Sequence, residues 1–254
     1  MKLPSGSLTT AMNAPPPTGP KLPPTPDVRP KIVAKVSVVI DDFGPDLQIA
    51  KKFSALPYPV TLSVLPHQAH SREISELAHS NGKEVILHLP MEPLGYPKVN
   101  PGKGALLVAM SRDELLRNVR SAFDASPYFD GVNNHEGSRM TQNAEAMKTV
   151  LAEVRERGFF FLDSMTTADS KAWKVAREMK TPTRKRDIFL DNSTSVDSIR
   201  SQISRLIKIA KVQGTALAIG HPHEATLQAL QEAAEQFRKE GVEVVPARDL
   251  MSIR

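Results

Sequence analysis

Carboxylates, carboxamides and imidazoles in this chain stand where short apolar runs end. They are Asp41 and Asp42, His67 and His70, His88 and Glu92, Asn133, Asn134 and His135, Asp163, Asp191 and Asn192, then Gly220-His221-Pro222-His223. Six of the seven histidines belong to this set, and only His79 falls on an expected helix. So many imidazoles behind strand ends mark a functional polar site. With no cysteine in the chain, the available ligands are nitrogen and oxygen, which suit zinc, or else iron, cobalt or nickel. Such an ion lowers the pKa of a water and polarises a carbonyl oxygen. A nearby carboxylate can then act as base, and an imidazole can protonate the leaving group. These parts suffice to hydrolyse an amide or an ester.

Structural roles compete with that reading. Asp41 or Asp42 can cap the helix that Pro45 begins, although two adjacent buried acids repel unless a cation lies between them. His88 and Glu92 can be plain loop residues. Asp163 and Asp191 can cap the helices after them or hold a basic group. His221 and His223 flank a proline that stiffens the backbone and brings both rings to one neighbourhood.

The residues need a frame to bring them together. Runs at 36–40, 60–65, 84–89, 131–134, 158–162, 186–190, 215–219 and 242–245 are mostly continuously apolar, as in strands covered on both faces. Between them, apolar residues recur at helical spacing. One stripe is Leu115, Leu116, Val119, Ala122 and Phe123, behind a Ser111/Glu114 capping box. Others are Ala146 to Val154, Val196 to Ile207, and Leu227 to Phe237. Strand starts roughly every 25 to 30 residues denote repeated βα units and an α/β fold with a parallel sheet or barrel. Ligands of such folds bind at the carboxyl ends of the strands. The longer interval between Leu89 and Ser111 reads as a lid or substrate wall.

Composition narrows the remaining classes. Of 254 residues, 40% are hydrophobic, enough for a sizeable core. Residues 1–31 differ, because Pro15-Pro16-Pro17 and Pro23-Pro24 favour extended, solvated chain. That stretch is expected to be a disordered tether, and residues 32–254 the folded domain. A net charge of +5 mixed with acids on helix faces, and few aromatics, argue against nucleic acid as partner. No run of about 18 apolar residues spans a membrane, and the N-terminus shows no signal-peptide core. A nucleophile elbow, a dinucleotide loop and a P-loop are absent, which argues against nucleotide-dependent chemistry.

From about Val36 to Leu250 five motifs occur in order: Ile40-Asp41-Asp42-Phe43-Gly44, Leu89-Pro90-Met91, Asn133-Asn134-His135, Phe161-Leu162-Asp163-Ser164 and Ile219-Gly220-His221-Pro222-His223. Together they resemble the divergent polysaccharide deacetylase family, a distant branch of the NodB-type carbohydrate esterases. The resemblance implies a distorted (β/α) barrel of seven to eight mostly parallel strands. It implies Asp41 as catalytic base, Asp42 as metal ligand, and His221 or His223 as acid. Two departures require a rebuilt metal shell. Where the NodB type has His-Ser/Thr-x-x-His, this chain reads His88-Leu89-Pro90-Met91-Glu92, and Asn134-His135-Glu136-Gly137-Ser138 replaces an Arg-Pro-Pro-x-Gly element. The expected ligands of a divalent ion, zinc foremost, are therefore Asp42, His70 and His135, with His88 as the alternative. Asn134, Ser138 and Asp163 are expected to bind substrate. The implied substrate is an N-acetylated envelope polysaccharide; the alternative is a non-catalytic glycan-binding or scaffolding protein on the same fold. Family members are exported, so a periplasmic or cell-envelope location is expected, with an N-terminal anchor preceding the tether.

Overall fold

The computed structural model describes Met1 and residues 31–253. The proline-rich tether expected over residues 1–31 thus lies almost wholly outside the described residues. The strands are β1 Ala34–Phe43, β2 Thr61–Val64, β3 Glu84–Met91, β4 Gly131–Glu136, β5 Phe160–Asp163, β6 Thr183–Lys185, β7 Ile188–Phe189, β8 Thr215–Gly220 and β9 Val242–Val244. They form one sheet in the order β6-β5-β4-β3-β2-β1-β8-β7, and every pairing between them is parallel. β9 pairs with Ala34 to Val36 of β1, on the edge that β2 occupies from Val39 onward.

The two edge strands, β6 and β7, are consecutive in the chain, so the sheet curls back on itself into the distorted barrel. The expected single strand at 186–190 is instead split. Arg186 donates its backbone N–H to Asp163 O at 3.0 Å, whereas Asp187 donates to Leu217 O at 2.9 Å. The segment passes from the β5 side to the β8 side between those two residues. Its charged run Arg184-Lys185-Arg186-Asp187 offers little to bury as a continuous core strand.

Among the described residues seven α-helices accompany the strands: α1 Leu47–Ser54, α2 Ser71–Ser80, α3 Arg112–Phe123, α4 Ala144–Glu156, α5 Ala172–Glu178, α6 Val196–Gln213 and α7 Glu224–Lys239. The Ser111/Glu114 capping box forms at the start of α3 as its sequence implied. Strand alternation sorts the core into two clusters. Val36, Val38 and Ile40, Val85, Leu87 and Leu89, Val132, and Ala216 and Ala218 pack with the helices. Val39, Ile86, Leu162, Leu217 and Ile219 fill the barrel interior, with Val245, Ala247 and Leu250 closing its floor. On each strand, inward positions are thus fixed, and their continuation past the apolar stretch decides which polar side chains meet.

Backbone strain collects at the carboxyl ends of the strands. Asp42, His67, Glu136 and Met165 all have positive φ, between 50° and 62°, a region that non-glycine residues seldom occupy. The long connection between β3 and α3 is held down at Glu92. Its backbone N–H donates to Leu106 O at 2.9 Å, and its carboxylate accepts from Val108 N at 2.6 Å and from Arg139 Nη1 at 3.0 Å.

Candidate functional site

Following the inward positions past the interior cluster brings Asp41, Ser63, His88, Asn133, His135, Ser164, Asp191 and His221 towards the mouth of the barrel. By alternation Asp42 should face the helices instead. The register of β1 slips between Ile40 and Phe43, and Asp42 takes φ of 62°, which turns its side chain back beside Asp41. Two adjacent acids thereby reach one site.

Asp42, His88 and His135 form a compact group whose ligand atoms all lie within 4.8 Å of one another. Asp42 Oδ1 stands 3.0 Å from His135 Nδ1 and 3.2 Å from His88 Nε2, and the two ring nitrogens are 3.1 Å apart. Ligands of a tetrahedral zinc ion with bonds of ~2.0–2.1 Å are ~3.3 Å apart, close to this triangle. Asp42 Oδ1 is also buried without a properly directed hydrogen bond. A buried carboxylate oxygen in that state costs stability unless something else satisfies it. The donor set and its spacing therefore fit a divalent cation. Burial opposes ionisation of Asp42, but the close approach of His135 and His88 outweighs it and holds the carboxyl well below the usual range.

Beside the triangle, Asp41 is fully enclosed. Its Oδ1 accepts from Asn133 Nδ2 at 2.7 Å, and its Oδ2 lies 3.7 Å from His88 Nε2. Burial pushes its pKa up, against the pull of His88 and His221. His221 shows the reverse outcome. Its Nδ1 meets Asp191 Oδ1 at 2.9 Å, and although burial favours the neutral ring, Asp191 raises the imidazole to about 9. Asp191 Oδ2 accepts from His221 N at 2.6 Å and Thr226 Oγ1 at 2.8 Å. A Cβ at residue 220 would come within 3.2 Å of Asp191 Oδ2, so Gly220 permits this close fit. Asp41, Asp42, His88, His135 and His221 all border one cleft of about 160 Å³, along with Ser164, whose Oγ is buried and has no partner.

Several expected site residues lie elsewhere. His70 is not in the triangle; it sits at the N-terminus of α2 with Nδ1 3.1 Å from Glu73 Oε2. The triangle's third corner is His88, the alternative ligand. Asp163 faces the helix side, where it accepts from Met165 N, Ser170 Oγ and Trp173 N and shapes the approach to α5. Asn134 borders the cleft, but its amide is used at both ends, by Ser164 N at 2.9 Å and Glu136 O at 2.8 Å. Ser138 Oγ accepts from Leu94 N at 2.9 Å and so anchors the long loop. His223 is exposed at the start of α7, its ring centroid 6.1 Å from that of His221. It forms a second close group with Asp191 and His221, but both Asp191 oxygens there already accept hydrogen bonds. The sequence places Asn133 and Asp191 at strand ends and Ser164 in a motif, but singles out none of the three as a catalytic, metal or substrate residue. All three share the inward alternation, which was the available signal.

The fold and this site place the chain among parallel (β/α) barrels whose strand ends carry carboxylates and imidazoles. The sequence pattern of the divergent polysaccharide deacetylase family matches residues 38–251, and the chain belongs to that family. It is 39% identical over 203 residues to the uncharacterized protein YibQ of Escherichia coli, covering 80% of this chain and 63% of that protein. A crystal structure of an uncharacterized protein of Agrobacterium tumefaciens superposes with a TM-score of 0.83 at 25% identity, over 87% of this chain and 92% of that one. The catalytic domain of a peptidoglycan N-acetylglucosamine deacetylase of Eubacterium rectale shares the fold, with a TM-score of 0.55, 12% identity, and coverage of 90% and 97%. No helix among the described residues is long and apolar enough to cross a membrane.

Proposed function

We propose that this protein is a metal-dependent hydrolase that removes N-acetyl groups from a polysaccharide of the cell envelope. The observation that carries the reading is the near-equilateral triangle of Asp42, His88 and His135 on the same cleft as Asp41 and His221. Zinc held by those three ligands would lower the pKa of a water and polarise the acyl carbonyl. Asp41, its Oδ1 fixed by Asn133, leaves Oδ2 to take a proton from the attacking water. His221, kept protonated at neutral pH by Asp191, donates to the departing amine nitrogen. His221 thus begins as the proton donor, and a cation held beside Asp41 would favour the carboxylate that a base requires. The unpartnered Ser164 hydroxyl is left to hold the acyl group or an adjacent sugar oxygen.

The test combines metal analysis with acetate release from N-acetylated glycan oligomers by the wild type and Asp41→Asn. About one ion per chain, with turnover abolished in the variant, supports the reading. Failure to bind zinc or cobalt and to release acetate would leave a glycan-binding protein on a deacetylase fold.

A further inference from the structure

Asn133 is buried completely in the barrel interior, yet its amide makes three short contacts. Nδ2 donates to Asp41 Oδ1 at 2.7 Å. Oδ1 accepts from Ser63 Oγ at 2.6 Å and meets His88 Nδ1 at 2.7 Å. Asp41, Ser63, His88 and Asn133 come from β1, β2, β3 and β4, so one layer of side chains links four adjacent strands.

The chemistry of the amide makes these contacts interdependent. An amide donates only from nitrogen and accepts only at oxygen. A carboxylate oxygen accepts, so the nitrogen must face Asp41 and the oxygen must face His88. Two acceptors cannot stand 2.7 Å apart, so the proton of His88 sits on Nδ1. That leaves Nε2 as the ring nitrogen turned towards Asp42 Oδ1 and His135 Nδ1, where a cation would displace any proton it carries. With the amide reversed, His88 would carry its only proton on Nε2, where it could not ligate. One neutral side chain therefore sets both the ligand tautomer and the hold on the neighbouring carboxylate.

We propose that Asn133 is a positioning residue that couples the metal ligand His88 to the base Asp41. The metal half stands on the geometry of the triangle; the role of Asp41 rests on the hydrolytic reading above. The substitution that separates the halves is Asn133→Asp. It keeps an acceptor for His88 Nδ1–H but replaces the donor to Asp41 with a second anion. Asn133→Leu removes both.

The experiment reads zinc affinity, the nitrogen chemical shifts of His88 in metal-free protein, and turnover, with thermal melting as a check on folding. In the wild type His88 Nδ1 is expected to be protonated, and the Asn133 side-chain N–H is expected to be shifted and slow to exchange, an effect lost in Asp41→Ala. Asn133→Asp should keep zinc affinity within about threefold, whereas Asn133→Leu should lose about 10- to 100-fold. Turnover in Asn133→Asp should fall about 100-fold or more with KM little changed. An Nε2–H tautomer in the wild type, or equal loss of zinc in both variants, overturns the proposal. So does an Asn133 amide proton that is indifferent to Asp41→Ala. A wild type without turnover would sink the hydrolytic reading alone, because the tautomer, amide and zinc measurements remain decisive for the coupling. Should Asn133→Leu not fold, the wild-type tautomer and Asn133→Asp still decide.

Discussion

Asp191 grips His221 at two points, with Oδ1 on the ring Nδ1 at 2.9 Å and Oδ2 on the backbone N–H at 2.6 Å. This arrangement aims the free Nε2 into the cleft and favours the charged ring, which is raised to about 9. The high-pH limb of kcat/KM is therefore expected near 9. In Asp191→Asn it should move down towards ~6.5, the value of an ordinary histidine. The stability effect has a definite sign. A raised folded-state pKa contributes fully below ~6.5 and is lost as pH climbs through the folded value. The melting-temperature difference between wild type and Asp191→Asn should thus shrink from pH 6 towards pH 10. A difference that grew with pH would show that His221 is neutral in the fold.

The ligand triangle predicts which single substitutions remove metal. Asp42→Ala, His88→Ala and His135→Ala should each bind zinc at least ~10-fold more weakly, because a three-ligand site loses a third of its protein donors. His70→Ala should bind as the wild type does, since that ring pairs with Glu73 at the start of α2. Inductively coupled plasma mass spectrometry after dialysis against a weak chelator reads all four. Metal loss in His70→Ala would mean that the loop before α2 rearranges to complete the site.

Much of this was visible in the residue order, and the reasons for the rest are physical. Continuous apolar runs identified the strands, and strand ends identified the side of the barrel that carries the polar groups. Those runs are buried on both faces, so composition did not reveal which alternate residues point inward. Asp163 and Asn134 were consequently expected to meet substrate, although they follow the outward phase set by Phe161 and Val132. The opposite error threatens Asp42, which reaches the site only because β1 slips register beside it. His70 lies five residues after Leu65 and is carried off by the start of α2. Turns that change direction within one or two residues leave little trace in a pattern with a period of two.

A second buried carboxylate, at the opposite end of β3, governs stability rather than chemistry. Glu84 Oε2 accepts from Thr61 Oγ1 and Ala247 N, both at 2.7 Å, and Oε1 accepts from Arg248 Nε at 2.7 Å and Arg248 N at 3.1 Å. It ties the floor segment Ala247–Leu250 to two strands. Glu84→Ala should cost about 2–4 kcal/mol, because it leaves the buried Thr61 hydroxyl and Ala247 N–H without their acceptor, while the half-exposed Arg248 keeps Asp130. Glu84→Gln should cost about 1–3 kcal/mol, since its amide nitrogen would face backbone donors. Urea unfolding monitored by circular dichroism measures both. A cost below ~0.5 kcal/mol for Glu84→Ala would mean that the floor segment contributes little to the folded barrel.

Glu92 stands where the NodB pattern places a second metal histidine, so Glu92→His tests whether position or surroundings make a ligand. The carboxylate is absorbed by Val108 N and Arg139, and the backbone carbonyl by Arg139 N and Met140 N, both at 3.0 Å. None of these atoms belongs to the triangle. Histidine at this position is therefore expected to leave zinc stoichiometry unchanged while releasing the loop between β3 and α3. That loop exposes Leu94 and Val99, so it should become sensitive to limited proteolysis in Glu92→His and Glu92→Ala alike. A KM raised several-fold with metal retained would identify the loop as a wall of the substrate cleft. A gain of a second ion in Glu92→His would instead show that a NodB-type ligand arrangement can form at this strand end.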